Sequence, residues 1–95
     1  MKFTKKAYDV EAVQLRPKGD MTFSEMPDWL IHALESKQLQ LNPYKDAYWL
    51  ERLDEPGLYY SVGPGDWIVR ESPESLELVL WDDEYFQKAF EEAKA

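Results

Sequence analysis

The chain has 95 residues, enough for one domain with one modest core, and its 44% hydrophobic and 15% aromatic content excludes a disordered chain. It has no cysteine, which excludes disulfides and thiol catalysis, and a single histidine, His32, which argues against a histidine-built metal site. The net charge is −8, and residues 1–18 carry five bases against two acids, so the other 77 residues hold −11. Such a chain lacks the basic patch that a nucleic-acid binder uses to displace counterions, and an anionic membrane would repel it. No stretch reaches the roughly 18 consecutive apolar residues of a membrane span. No apolar segment follows the basic Met1–Lys6, so a secretory signal is not expected. Together these features predict a cytoplasmic location with no membrane association.

Tyr8–Leu15 alternates apolar and charged residues and predicts a strand, which Arg16-Pro17-Lys18-Gly19-Asp20 ends. Met26–Ser36 predicts a helix, with Pro27 at its first position and Asp28 in its first turn. Met26, Leu30, Ala33 and Leu34 form its apolar stripe. Ser24 stands where a cap would, but Pro27 offers it no N–H. Strands follow at Gln38–Leu41 and Ala47–Leu53, joined by a turn at Asn42–Asp46. Asp54-Glu55-Pro56-Gly57 has proline and glycine at the centre of a type II turn, so 47–62 reads as a hairpin returning through Leu58–Val62.

Gly63-Pro64-Gly65-Asp66 is the tightest punctuation, and the strand Trp67–Arg70 follows it. A turn at Ser72-Pro73-Glu74-Ser75 leads to the strand Leu76–Trp81. Asp82–Ala93 predicts the second helix, with Asp82 or Asp83 as its cap and an apolar stripe of Phe86, Ala89, Phe90 and Ala93. The expected fold is α+β: an antiparallel sheet of four to six strands with two helices, at about 27–36 and 83–93, in a single domain 1–95.

Several residues are candidates for chemistry. Asp66, Trp67 and Arg70 would form a ligand pocket if the Gly63–Trp67 turn opens onto one; the competing reading makes the turn structural, with Asp66 bonding its backbone and Trp67 in the core. Tyr44, Tyr48, Trp49, Tyr59 and Tyr60 crowd the middle strands, and they serve either as interface anchors or as ordinary cross-strand and core pairs. His32 lies four residues from Asp28 and from Ser36, a spacing for a local pair rather than for a catalytic set. Asp82-Asp83-Glu84 suits a helix start better than a cation site. No phosphate loop, dinucleotide fingerprint, zinc-protease motif or nucleophile elbow is present, so no catalytic residue, metal or cofactor is assigned.

Two segments carry a family likeness: Val10-Glu11-Ala12-Val13-Gln14, and Gly63-Pro64-Gly65-Asp66-Trp67-Ile68-Val69-Arg70 followed by Asp82-Asp83-Glu84-Tyr85-Phe86. With Met26-Pro27-Asp28-Trp29-Leu30 between them, the chain resembles a family of small uncharacterised proteins of tailed bacteriophages and prophages that share a VEAVQ opening and a PGDWI(I/V) signature. Where that family continues with a glycine-containing turn and a GEFYPC-like strand, this chain has Glu71–Ser75 and Leu76–Trp81, without the cysteine. The resemblance implies a phage or prophage origin and a life in the cytoplasm of a bacterial host. It implies no reaction.

Two functional expectations follow. One is a non-enzymatic accessory protein whose acidic, aromatic-bearing surface binds a host protein, such as a defence or nucleic-acid enzyme, without binding nucleic acid directly. The other is a binder of a small nucleotide-like ligand, or a minor enzyme, with its site at the Gly63–Trp67 turn. Convergence of Arg16, Arg52 and Arg70 would favour the second.

Overall fold

The computed structural model describes residues 2–5, 8–17, 20–72, 77–89 and 91–92. Along the chain these form β1 (Lys2–Lys5), β2 (Tyr8–Gln14), α1 (Asp28–Glu35), β3 (Leu39–Asn42), β4 (Ala47–Glu51), β5 (Tyr59–Val62), β6 (Trp67–Arg70), β7 (Leu78–Trp81), α2 (Asp83–Ala89) and β8 (Glu91–Glu92). The class is α+β as expected, and every strand pairing is antiparallel. The strands divide between two sheets: a five-stranded one in the order β7-β6-β2-β1-β8 and a three-stranded one in the order β3-β4-β5.

Strand β2 occupies the middle of the larger sheet and is covered on both faces. Val13, and Leu15 just beyond the strand, enter a core with Ile68 and Leu78 of the same sheet, Leu39, Leu50 and Val62 of the smaller sheet, and Leu30 and Ala33 of α1. Val10 and Ala12 point the other way, joining Trp67 and Val69 of β6 in a second core that Phe86 of α2 closes. Two-residue alternation produces this division, because successive side chains of a strand leave on opposite faces. The run Trp67-Ile68-Val69 is buried throughout for the same reason, reading as the continuous apolar strand of a sheet covered on both sides.

Helix α1 starts one residue later than expected. Pro27 is its cap residue, in extended conformation, and no side chain caps the end. Ser24 serves elsewhere: its hydroxyl accepts the Gln14 amide at 2.9 Å, and its own amide donates to the Gln14 carbonyl at 2.8 Å, tying the helix approach to the end of β2. Leu30 and Ala33 are buried as the stripe predicts, but Met26 precedes the helix and is 50% exposed. At the other end Lys37 takes φ +67°, the left-handed position where glycine is usual.

Both proline–glycine turns form as read. The Leu58 amide donates to the Glu55 carbonyl at 3.1 Å around Pro56 and Gly57 (φ +94°), and the Asp66 amide to the Gly63 carbonyl at 3.0 Å around Pro64 and Gly65 (φ +93°). Asp82 caps α2 by accepting the Tyr85 amide at 2.8 Å.

The expected helix at 83–93 is shorter, ending at Ala89, and Glu91–Glu92 pairs with Phe3–Thr4 of β1. Strand β1 was not expected at all, since Lys2–Lys5 reads as a basic terminus; it forms by backbone pairing to the neighbouring β2. The expectations that fall on Lys18, Gly19, Pro73–Leu76, Phe90 and Ala93 lie outside the described residues.

Phe86 is fully buried, its ring stacked on Trp67 with centroids 4.0 Å apart and planes within 7°. Phe86→Ala is expected to cost about 3–5 kcal/mol, measured by chemical denaturation, because it removes the ring that closes the second core and stacks on Trp67, which its own hydrogen bond to Asp83 holds in place. Lys37→Gly is expected to stabilise by about 1 kcal/mol by relieving the left-handed backbone.

Candidate functional site

The Gly63–Asp66 turn is where the chain crosses from the small sheet to the large one, between β5 and β6. It is locked to the end of β2: the Gly65 amide donates to the Leu15 carbonyl at 2.7 Å, and the Leu15 amide to the Asp66 carbonyl at 2.9 Å. The Gln14 side-chain amide donates to the Gly65 carbonyl at 3.0 Å. Within the turn the Asp66 carboxylate accepts the Gly63 amide at 2.9 Å. Burial pushes the Asp66 carboxyl above its ordinary value; the Gly63 hydrogen bond opposes that rise, and the nearby Asp82 charge adds to it.

Trp67 is buried, and its indole N–H donates to the Asp83 carboxylate at 2.8 Å while its ring stacks on Phe86. Arg70 leaves the opposite face of β6, by alternation, and its Nη1 lies 3.7 Å from the Glu11 carboxylate. The three residues expected to share a pocket are therefore not brought together. Asp66 and Trp67 brace the turn and the second core, and Arg70 belongs to a different place.

That place is a groove of about 520 Å³ between α1 and the two sheets. Asp28, Trp29, His32 and Ser36 of the α1 region form one wall, Gln38, Glu51 and Leu53 a second, and Arg70 and Leu78 a third. The Trp29 indole N–H donates to Glu11 at 2.6 Å, so one carboxylate links α1 to β2 and faces Arg70. The Arg70 Nε donates to the Ser72 carbonyl at 3.2 Å. Of the three arginines only Arg70 lines the groove. Arg52 is held by Asp54 at 2.8 Å, with Glu55 at 3.8 Å, and Asp20 is the neighbouring charge of Arg16. The Arg52 guanidinium keeps the Asp54 carboxyl below its ordinary value, while partial burial and then Asp54 push Glu77 above its own. Sequence reading found Asp28 and His32 as neighbours four apart but not the groove, which depends on Glu11, Glu51 and Arg70 arriving from three strands.

Of the five aromatics, the four in β4 and β5 separate by alternation, and Tyr44 lies in the turn before β4. Tyr48 and Tyr60 turn inward and pack on the first core. The Tyr48 hydroxyl donates to the Met21 carbonyl at 3.1 Å and its ring lies 5.0 Å from Phe23, while the Arg52 guanidinium lies 5.4 Å from the Tyr60 ring centre. Tyr44, Trp49 and Tyr59 turn outward and are 87%, 38% and 48% exposed. Trp49 and Tyr59 sit diagonally across β4 and β5 with ring centres 6.2 Å apart, and Glu51 is the register partner of Tyr59. The outer face of the small sheet thus carries an exposed aromatic pair beside Glu51, which also lines the groove. Among the described residues no group of three or more acids and histidines is arranged to hold a metal ion, and no helix is long and apolar enough to cross a membrane.

Gly65→Ala is expected to destabilise by about 1 kcal/mol through backbone strain alone, since a Cβ there meets no neighbour within 4 Å. The native state holds the Asp66 proton more tightly than the unfolded chain does, so this group's contribution to stability is greatest below its ordinary value of 3.8 and is lost as pH rises through the raised native value. Asp66→Asn keeps an acceptor for the Gly63 amide and removes that pH dependence. Its stability at neutral pH is expected within about 0.5 kcal/mol of the parent, whereas Asp66→Ala loses about 1 kcal/mol, both read from urea titrations.

In comparisons with known proteins, the chain matches no family model, no curated protein and no solved structure.

Proposed function

We propose that this protein is a non-enzymatic binding module that engages a protein partner through the outer face of its three-stranded sheet. The observation that carries the reading is the exposed Trp49–Tyr59 pair. A single exposed aromatic is ordinary on a protein surface, but two in contact on one sheet face, with exposed Tyr44 in the adjoining turn, supply the large, stiff contact area of an interface centre. Glu51, cross-strand partner of Tyr59, lies beside the pair, and the turns before and after β4 carry Asp46 and the Arg52-bound Asp54 and Glu55, so polar residues border the strand that bears Trp49. The net charge of −8 favours a basic partner and speeds its encounter. On the resemblance to phage and prophage proteins, the partner is a protein of the bacterial host, and a defence or nucleic-acid enzyme presents the basic surface that such a face complements.

The small-ligand reading centred on the Gly63–Trp67 turn finds no support in the geometry, because the indole of Trp67 is committed to Asp83 and Phe86.

Affinity purification from host lysate at low salt tests the proposal, followed by titration of the recovered protein against a Trp49→Ala/Tyr59→Ala variant. The parent is expected to retain a stoichiometric partner in a salt-sensitive way. The variant is expected to lose at least about thirtyfold in affinity, equivalent to about 2 kcal/mol, while its folding stability falls by no more than about 1 kcal/mol. Retention of no partner by the parent, or equal retention by the variant, contradicts the proposal.

A further inference from the structure

The groove beside α1 has the features of a specific subsite: a half-open volume in the size range of ligand pockets, apolar surface from Trp29, Leu53 and Leu78, and polar groups converging from separate elements. Its charge is what sets the class of occupant. Asp28 and Glu51 stand on different walls, and Glu11 bonds to Trp29 and faces Arg70. The lining itself carries the carboxylates of Asp28 and Glu51 and the guanidinium of Arg70, and Glu11, adjoining it, sets a third carboxylate against that guanidinium. Arg70 does not reverse the negative sign, because Glu11 faces it and its Nε is occupied by the Ser72 carbonyl. Glu51 joins the groove to the exposed aromatic face, as cross-strand partner of Tyr59.

We propose that the groove receives an arginine side chain of the partner polypeptide, while Trp49 and Tyr59 cover the partner's neighbouring surface. The inference rests on the protein-binding reading above and names the chemistry that reading would recognise. A guanidinium matches the groove better than an ammonium: it is planar and weakly hydrated, it stacks on an indole, and its fork of donors reaches carboxylates on separated walls. An anionic ligand such as a nucleotide meets in the same space the carboxylates of Asp28 and Glu51, which form no ion pair among the described residues.

The test uses N-acetyl-arginine amide, a single-charge probe that avoids the general attraction of a polycation to an acidic protein. Titrated into the isotope-labelled full chain at low ionic strength, it is expected to shift the Trp29 indole N–H resonance saturably. The Asp28→Asn/Glu51→Gln variant is expected to bind about tenfold more weakly. An Asp20→Asn/Glu84→Gln variant, which loses the same charge outside both the groove and the aromatic face, is expected to bind as the parent does. A Trp29 resonance that does not respond, an equal loss in both variants, or a saturable response to adenosine monophosphate in place of the arginine amide overturns the proposal. No partner protein enters this titration. A silent Trp29 beside an intact effect at Trp49 and Tyr59 therefore removes the groove chemistry alone, and the converse removes the docking face alone.

Discussion

The structure depends on one strand having no free face. β2 is the middle strand of the five-stranded sheet, and its alternating residues serve two cores at once, Val13 and Leu15 toward the small sheet and α1, Val10 and Ala12 toward α2. Its neighbour β6 does the same through Ile68 on one side and Trp67 and Val69 on the other. A shift of one residue in their register would exchange every side chain between the cores, so the pairing of Ala12 with Val69 and Val13 with Ile68 is fixed by both cores together. For a chain of this length, with a total stability of about 5–14 kcal/mol, neither core is large enough to be independent of that shared wall.

The Gly63–Asp66 turn is the local device that makes this arrangement possible. The chain must leave the small sheet after Val62 and enter the large one at Trp67, and four residues accomplish it by a proline, a left-handed glycine and an aspartate that closes the turn. Bonding between Leu15 and both Gly65 and Asp66 fixes the crossing to the end of β2. The aromatic face and the groove are consequences of this scaffold. The small sheet buries Leu50 in the first core and packs the partly buried Tyr48 and Tyr60 against it, and alternation then leaves Trp49 and Tyr59 facing solvent. The groove forms where α1, covering one end of the first core, meets strand ends of both sheets, and the Trp29–Glu11 hydrogen bond holds that junction.

What was legible in the sequence was local. The proline–glycine turns, an acidic cap at Asp82 or Asp83 (Asp82 fills it), the doubtful cap at Ser24 and the hairpin from Ala47 to Val62 each depend on residues a few positions apart, and each took a form read from them. The division into two sheets was not legible, because it is decided by β2 choosing β6 across more than fifty residues, while hairpin signals report only adjacent strands. Strand β1 carries a single large apolar residue among lysines and a threonine, so it gives no alternation to read; its partner supplies the order. The aromatic cluster was visible, but which members face outward required knowing which side of the small sheet is covered. The groove was invisible for the same reason: Glu11, Trp29, Glu51 and Arg70 are distant in sequence, and only the packing of α1 across the two sheets gathers them.

The central claim is that the two cores share β2 and β6 and so unfold as one. Native-state amide hydrogen exchange tests it most directly, with a perturbation placed wholly in the first core. Leu50 lies in the small sheet and is fully buried there. Leu50→Ala is expected to lower the opening free energies of the protected amides of β6 and of the Phe86 amide, which bonds to the Asp82 carbonyl, by the same amount as it lowers global stability, about 2–5 kcal/mol. Exchange at Phe86 and along β6 that stays at parental rates while the amides of β4 and β5 speed up would show two independently folding cores and contradict the account.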